Sequence, residues 1–429
     1  MSIDVRKINR PTLAAATFAI VTISGVTGWL VTREGDSGSE FVPMPIDAAP
    51  DAPPDAFVPD SPIDAPPVTE WTMITIYGPE ATVGLNGADG VDTATIGGKL
   101  TVVSPWEQSG TVTVSTRTGS TIAATWASVT LATVTNVEDA KFCDVDQDGA
   151  MDVMAGGQGK RIRIWFGPTW STTIEIDAAT NVQQWMQLSC SAGKVWAGGR
   201  GGTVPPATFG YFTSATPRTA SSWTYTSIAA SDWLMSLIAR DVDRDGDVDA
   251  VVTDRTHKQL AKGLYWYEAR PGASFVAHEI TDVDLNAEGE TKFAEIVGSN
   301  TVITGFSSTT RSNTLYKNVT ADNWATWTQT QIAPYPSNTG MYHAVATCDI
   351  TGDGTADYVL THSSSTGSMD GVVYVDGVTF ASTSIDLAAG EKYDNVLCLD
   401  MDDDGDLDVL TSEQNVGLGV VWFRNPRVP

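Results

Sequence analysis

Four short segments of this sequence concentrate carboxylates at a spacing that suits a metal ion. Each has the pattern D-x-[DT]-x-D-G-x-x-D, and together they hold 18 of the 52 acidic residues. Oxygen ligands at alternate positions of a flexible loop suit Ca²⁺ better than Mg²⁺, which requires a stricter octahedron. The sequence therefore predicts up to four calcium ions. The predicted ligands are Asp144, Asp146, Asp148, Asp152, Asp241, Asp243, Asp245, Asp249, Asp349, Thr351, Asp353, Asp357, Asp400, Asp402, Asp404 and Asp408.

An EF-hand and a metal-free turn are the alternatives for these segments. An EF-hand requires a glutamate at loop position 12 and a helix on each side, whereas position 12 is Ala155, Val252, Leu360 or Thr411 here and the flanks have strand composition. A single copy would be explained by a solvated β-hairpin, but four copies in one register favour metal binding. Thr351 replaces a carboxylate, so we expect the third loop to bind most weakly. Ligands drawn from one short segment indicate a structural ion.

The Asp-rich loops belong to a longer repeat that begins at about Trp71. Runs of Val, Ile, Thr, Trp and Tyr alternate with turn residues, and tight turns recur 44 to 54 residues apart. Each unit also contains a second, aromatic pair of strands, which makes four strands per unit. The sequence therefore predicts an all-β, seven-bladed β-propeller with four-stranded blades over residues 71–429. The turn centres are Gly98, Asp148, Ala192, Asp245, Ser299, Asp353 and Asp404.

The last repeat ends without its outer strand. The chain stops at GVVWFRNPRVP, and the segment WTMITIYGPE at 71–80 resembles the missing strand. Pairing these two segments would close the ring and cover both sheet edges, which otherwise promote aggregation. We therefore expect an N-terminal strand to complete the seventh blade.

The repeats resemble the FG-GAP or VCBS repeats of integrin-α-like propellers. The resemblance covers 71–429 and depends on DVDQDGAMDV, DVDRDGDVDA and DMDDDGDLDV, whereas the terminal motifs that name the family are poorly kept. It implies a calcium-stabilised propeller in which the loop joins the first two strands of a blade. It also implies adhesion, ligand binding or, in some members, polysaccharide cleavage.

The N-terminal residues have the composition of an export signal and a linker. Arg6, Lys7 and Arg10 precede an apolar run of about 19 residues, which fits a cleaved signal peptide or an uncleaved signal anchor within residues 1–33. Residues 34–70 are rich in Pro, Asp and Ala, which predicts a disordered stalk. We therefore expect an exported protein at the cell surface, in the periplasm or outside the cell, with membrane contact only through its N-terminal segment.

The negative charge of the chain is local. Besides the 18 loop acids, nine lie in residues 34–70, and the remaining 25 match the 25 Lys and Arg residues. A nucleic-acid-binding protein needs a basic face, so this function is excluded. We expect a monomeric propeller.

Four cysteines lie near the ends of first strands in neighbouring blades. Cys143 with Cys190, and Cys348 with Cys398, can form disulfide bonds between adjacent inner strands in an oxidising compartment. Four buried free thiols are the alternative, because an even count does not determine connectivity.

The face opposite the calcium turns carries mixed charges and aromatic residues. These side chains predict either a glycan or protein site at a central funnel, or a polar rim around a water-filled channel with aromatics between blades. The predicted ligand-binding residues are Trp106, Glu138, Asp139, Trp185, Trp233, Asp254, Arg255, His257, Lys292, His343 and Glu413, and Glu107, Arg200, Arg311, Tyr342, His362 and Asp394 lie at equivalent positions.

Three functional hypotheses follow for this face. The first is a recognition module that binds a glycan or protein ligand. The second is a polysaccharide lyase, in which Arg255 or Lys292 neutralises a uronate carboxylate while His343 or Tyr342 removes the adjacent proton. The third is a purely structural role. No nucleophile elbow, zinc signature or nucleotide-binding loop occurs in the sequence, so the recognition module is favoured.

Overall fold

A computed structural model describes residues 70–426 apart from short segments, together with the backbone of four strands within residues 6–43. The segments left out of this range are 120–124, 179–182, 192, 202–205, 256–262, 273, 281–289, 308–313, 335–340, 364–369 and 389. The chain divides into two units, Met1–Ala65 and Pro66–Pro429.

The first unit contains a small antiparallel sheet. Its strands are β1 (Arg6–Lys7), β2 (Ala16–Ile23), β3 (Val26–Arg33) and β4 (Glu40–Pro43), paired in chain order. Most of the apolar run assigned to the export signal therefore lies in β2 and β3. Within the described residues, no helix has the length and apolar character needed to cross a membrane. The Pro/Asp/Ala-rich linker after Pro43 lies outside the described residues.

The second unit is a ring of seven four-stranded antiparallel blades. Blade 1 consists of β6 (Asp92–Ile96), β7 (Lys99–Trp106), β8 (Thr111–Arg117) and β9 (Trp126–Thr130). Blade 2 consists of β10 (Val137–Cys143), β11 (Asp152–Gly157), β12 (Ile162–Phe166) and β13 (Thr172–Ile176). Blade 3 consists of β14 (Gln184–Ser191), β15 (Lys194–Arg200), β16 (Ala207–Thr213) and β17 (Thr224–Ser231).

The remaining four blades repeat this arrangement. Blade 4 consists of β18 (Leu234–Arg240), β19 (Asp249–Asp254), β20 (Leu264–Arg270) and β21 (Ser274–Glu279). Blade 5 consists of β22 (Glu290–Val297), β23 (Thr301–Ser307), β24 (Thr314–Val319) and β25 (Thr328–Pro334). Blade 6 consists of β26 (Met341–Cys348), β27 (Asp357–Ser363), β28 (Asp370–Val375) and β29 (Ser382–Ala388). Blade 7 consists of β30 (Tyr393–Leu399), β31 (Asp408–Glu413), β32 (Gly419–Arg424) and β5 (Thr72–Tyr77).

Blade 7 is completed by the first strand of the propeller. Strand β5 pairs antiparallel with β32, with Trp422 opposite Ile74 and Phe423 opposite Met73. A four-residue helix, α1 (Glu80–Val83), then leads towards blade 1, and a single 3₁₀ turn occupies Ala220–Ser222. The predicted seven-bladed ring, closed by an N-terminal strand, is confirmed.

Apolar side chains pack between neighbouring blades. One core cluster joins Ile76 and Trp422 of blade 7 to Val102 and Trp106 of blade 1. Each strand alternates its side chains between the two faces of its blade. Since each face packs against a neighbouring blade, an inner strand is buried on both faces. The apolar runs of the inner strands follow from this double burial.

Two disulfide bonds join inner strands of adjacent blades. Cys143 bonds Cys190 between blades 2 and 3, and Cys348 bonds Cys398 between blades 6 and 7, with Cα separations of 6.0 and 6.4 Å. These are the two pairings that the sequence favoured over free thiols. They are compatible with an exported protein.

Candidate functional site

The four Asp-rich loops join the first and second strands of blades 2, 4, 6 and 7 and share one backbone conformation. The sixth residue is a glycine with φ between 86° and 100°, and the fourth also has positive φ, between 58° and 66°. No heavy atom lies within 4 Å of a Cβ added to the sixth-position glycines. Glycine is therefore favoured there by the left-handed backbone rather than by crowding. The sixth-position glycines are Gly149, Gly246, Gly354 and Gly405.

The first aspartate of each loop folds the loop back on itself. In blade 2 the two oxygens of Asp144 accept hydrogen bonds from the backbone N–H groups of Asp148 and Gly149, both at 3.0 Å. Asp349 and Asp400 accept the equivalent pair in blades 6 and 7. These bonds hold the loop in its turn and bring the carboxylates together.

Three of the loops gather carboxylates closely enough to share one cation. The groups are Asp144, Asp146 and Asp152; Asp241, Asp243 and Asp249; and Asp400, Asp402 and Asp404, each with oxygens within 4.8 Å of one another. Calcium–oxygen distances of 2.3–2.6 Å fit this spacing. Asp241 Oδ1 and Asp402 Oδ1 are buried and have no hydrogen-bond partner, so the residues present fit a calcium ion. Among the described residues, the blade 6 loop with Thr351 does not form such a group.

The last aspartate of each loop has a second role that the sequence did not suggest. Asp152 is fully buried, and its oxygens accept hydrogen bonds from the backbone N–H of Val145 at 2.8 Å and of Gly167 at 2.7 Å. Asp249, Asp357 and Asp408 make the same two types of bond. Burial raises the pKa of Asp152 to about 6 and that of Asp408 to about 8. These carboxylates therefore attach the loop to the end of the third strand.

The opposite end of the inner strands contains a β-bulge in six blades. The strand register shifts near the start of the first strand in blades 2 to 7. A bulge redirects a side chain, which is why bulges often occur beside functional sites. The bulges of blades 5 and 7 contain two residues each, the second being Phe293 and Asn395. We call the first residue of each of the six bulges the mouth ring: Glu138, Met186, Met235, Lys292, His343 and Asp394.

A cavity of about 460 Å³ is lined by inner-strand residues of blades 2 to 7 and by residues 89–92, which lead into blade 1. Glu138, Met186, Met235 and Asp394 line this cavity, together with Asp89 from the segment before blade 1. Of the residues predicted for the ligand face and its equivalent positions, Glu138, Asp139 and Asp394 line this channel.

Two basic residues, Arg255 and Lys292, occupy the blade 4 and blade 5 side of the mouth. Lys292 is 1% exposed, and its Nζ lies 2.9 Å from Glu290 Oε2, while Arg255 Nε lies 2.8 Å from Glu290 Oε1. Burial, together with the nearby Arg255 charge, lowers the pKa of Lys292 to about 8. Two cations therefore share one carboxylate.

A histidine and a lysine share Asp394 on the blade 6 and blade 7 side. His343 Nδ1 and Lys392 Nζ each lie 2.9 Å from an oxygen of Asp394. Although burial acts in the opposite direction, Lys392 and His343 hold the pKa of Asp394 below its usual range. Burial lowers the pKa of His343 and lowers that of His362 to about 4, so both imidazoles are neutral at pH 7.

Acidic residues crowd the blade 1 and blade 2 side. Burial and the nearby Glu107 raise the pKa of Glu138 to about 7, although Gln158 Nε2 donates to Glu138 Oε1 at 2.6 Å. Burial and Asp394 raise the pKa of Asp89 well above its usual value. Such shifts mean that neighbouring cations and hydrogen-bond donors do not fully offset the burial of these carboxylates. A cationic group of a ligand would supply the missing positive charge.

Several predicted ligand residues serve the fold instead. Trp106 and Trp185 are 0% and 1% exposed and pack between blades, as the alternative of inter-blade aromatics proposed. Asp254 is buried and accepts backbone hydrogen bonds from Asp232 and Trp233. Asp139 lies deeper in the channel, where its carboxylate accepts a hydrogen bond of 2.8 Å from the backbone N–H of Leu188.

Glu413 also serves the fold and does not line the channel. It is fully buried, and its carboxylate accepts hydrogen bonds from backbone N–H groups. The donors are Lys392, Asn415, Val416, Gly417 and Leu418. Glu413 therefore stabilises the turn between β31 and β32. His257 lies outside the described residues.

Trp233 lies at the mouth but is covered by cations. The guanidinium carbons of Arg200 and Arg255 lie 3.5 and 4.2 Å from the centroid of its ring. Five further residues at the mouth were not predicted from the sequence: Asp89, Glu290, Lys392 and the two methionines of the mouth ring, Met186 and Met235. The signal that would identify them is position, since each lies on or just before a first strand.

Glu295 gives the propeller an expected pH dependence. It lines the channel, and burial raises its pKa from 4.5 to about 7. The folded state therefore retains a proton that the unfolded chain has lost, and stability falls as pH rises from about 4.5 to 7. We expect Glu295→Gln to raise the free energy of unfolding by about 2–3 kcal/mol at pH 8 and hardly at pH 4.

Urea unfolding at both pH values measures this effect. Glu279→Gln on the outer strand β21 is the control, for which no pH-dependent gain is expected. An equal change for Glu295→Gln at pH 4 and pH 8 would contradict the prediction.

No model of a known protein family matches this chain, and no curated protein matches it. Among solved structures, the chain is similar to the WD40 β-propeller domain of Doa1, with a TM-score of 0.50 and 12% sequence identity. The similarity covers 82% of this chain and 94% of that chain. At this identity the similarity shows the fold alone, a β-propeller.

Proposed function

We propose that this chain is an exported recognition module of the FG-GAP/VCBS type, in which calcium stabilises the propeller and the channel mouth binds the ligand. The proposal rests on four mouth-ring residues that line one cavity, Glu138, Met186, Met235 and Asp394. Six bulges in six blades direct side chains to the same end of the channel, where a purely structural ring would not require charged groups. Export is supported by the two disulfide bonds.

The chemistry of the mouth favours a protein segment over a glycan. Stacking on a sugar needs an accessible aromatic face. The predicted Trp106 and Trp185 are buried and Trp233 is covered by two arginines, which leaves Phe293 as the aromatic residue in the described lining of the channel. The mouth instead combines two methionines with acidic and basic groups. Methionine adapts its shape to varied side chains, and the charged groups suit a polypeptide that carries both signs. A glycan remains the second class of ligand.

Binding by the mouth can be tested with a peptide array and a glycan array, both probed with the full chain. We expect selected peptides to bind, and Glu138→Gln to weaken that binding by about tenfold, since one charge-assisted contact is lost. Glu175→Gln on β13 is the matched control, because Glu175 pairs with Arg161 and Arg163 on the outer strands of blade 2. Equal binding by the two variants would contradict a site at the mouth. Signal on glycans alone would assign the site to carbohydrate.

A polysaccharide lyase is the second candidate, favoured by the cations beside a neutral histidine. Lys292 and Arg255 would neutralise a uronate carboxylate, and His343, which is neutral at pH 7, would accept the adjacent proton. Incubation with uronate polymers should then produce the ultraviolet absorbance of an unsaturated product. Product that disappears in His343→Ala would replace the recognition module by the lyase, and binding without product would eliminate the lyase.

A further inference from the structure

The blade 7 loop already contains a cationic group supplied by the chain. Arg424, at the end of β32, is 7% exposed, and its Nε and Nη2 lie 2.8 and 3.2 Å from Asp402 Oδ2 and Asp404 Oδ2. Arg117 of blade 1 reaches the same loop, donating to the carbonyl of Met401 at 2.6 Å and to Asp403 Oδ2 at 2.7 Å. Two guanidinium groups therefore offset the charge of this loop.

The blade 2 loop has a weaker version of this arrangement. Arg218, from the connection between β16 and β17, bonds Asp146 Oδ2 at 2.5 Å and Asp148 Oδ2 at 2.8 Å. Its side chain is 48% exposed, so water competes for the guanidinium. An exposed ion pair is worth little and is easily exchanged.

The blade 4 loop differs from both. Within the described residues, no lysine or arginine forms an ion pair with Asp241, Asp243, Asp245 or Asp249. The external contact to this loop is the neutral amide of Asn323, which donates to the carbonyl of Asp243 at 3.0 Å. In the described part of the chain, no guanidinium or ammonium group therefore occupies its carboxylate oxygens.

We propose that Arg424 and Arg218 determine which loops take calcium. The inference rests on the proposed calcium binding by the loops. Blade 4 binds first, blade 2 binds after Arg218 has been displaced, and blade 7 is held by Arg424 in place of the metal. A guanidinium uses the same carboxylate oxygens as the ion and repels a divalent cation nearby. Asp402 keeps Oδ1 without a partner, and removal of the guanidinium would also free Oδ2 of Asp402 and Oδ2 of Asp404 for an ion.

Calcium titration calorimetry of the chelator-treated full chain, with native mass spectrometry for stoichiometry, tests this order. Asp243→Asn should remove the tightest site. Arg424→Gln should add one bound calcium and tighten binding in blade 7 by about tenfold or more, because a repelling charge is removed. Arg424→Lys, which keeps the charge, should not add one. Arg161→Gln, on the outer side of blade 2, is the control and should leave the titration unchanged.

The direction in which Arg424→Gln changes the amount of bound calcium distinguishes the outcomes. If Arg424→Gln binds less calcium than the wild-type chain, or the same amount, while Asp243→Asn still removes a site, the role of the arginine is overturned and calcium binding stands. If no variant binds calcium, both proposals fail. Arg218→Gln gives an independent readout on an exposed residue, since calcium affinity in blade 2 should rise and a fall would overturn the proposal.

Discussion

Removal of calcium should lower the melting temperature of the full chain by about 4 °C for each occupied site. One site at a free calcium concentration 100-fold above its dissociation constant contributes about 2.7 kcal/mol. With an unfolding entropy of about 2.1 cal/mol/K per residue, a propeller that spans residues 71–429 shifts its midpoint by about 1.3 °C for each kcal/mol. The loss is concentrated at the inner-strand turns, where the carboxylates of Asp241, Asp243 and Asp249 would repel one another without the ion.

Differential scanning calorimetry with and without a chelator measures this shift. Added calcium should restore the melt, and magnesium should restore little of it, since Mg²⁺ fits a flexible loop poorly. Asp243→Asn is the matched variant, and its melt should respond less to the chelator than that of the wild type. An unchanged melt of the wild-type chain would eliminate the calcium proposal.

Glu413→Ala should lower the free energy of unfolding by about 4 kcal/mol or more, the largest effect expected for a single substitution. Five backbone N–H groups donate to this carboxylate, and each unsatisfied buried donor costs about 1–3 kcal/mol. Water reaches part of the turn and reduces the sum. Glu413→Gln retains one acceptor oxygen and should cost about half as much.

Chemical unfolding of both variants measures these losses. Glu279→Ala on the outer strand β21 is the control and should change stability by less than about 0.5 kcal/mol. If Glu413→Ala were as stable as this control, the carboxylate would not support the turn, and its assignment as a ligand residue would become the better explanation.

The fold was accessible from the sequence because a propeller blade is a local unit. Each turn, strand and loop of a blade lies within about 50 residues, and seven copies reinforce one another. The long-range pairing of β5 with β32 was also predictable. A blade that lacks a strand needs one, and only the segment before the first repeat resembled it.

The ligand face was only partly predictable. Glu138 and Glu413 are both acidic residues at the same end of their blades, and their sequence contexts do not separate them. Glu138 lies in a bulge and lines the channel, whereas Glu413 is enclosed by the turn that follows it. A bulge arises from a one-residue mismatch between paired strands, and strand composition does not encode that mismatch.

The sequence by itself determined the number of blades, the closing strand and the position of the Asp-rich loops, because these depend on repeated local patterns. Only the tertiary structure decided which side chains reach the channel and that Arg218 and Arg424 lie on the loops of blades 2 and 7. Arg218 acts from the neighbouring blade, and Arg424 acts from the third strand of its own blade. The direction of such a side chain is fixed by how strands and blades pack together, which the residue's own neighbours in sequence do not specify.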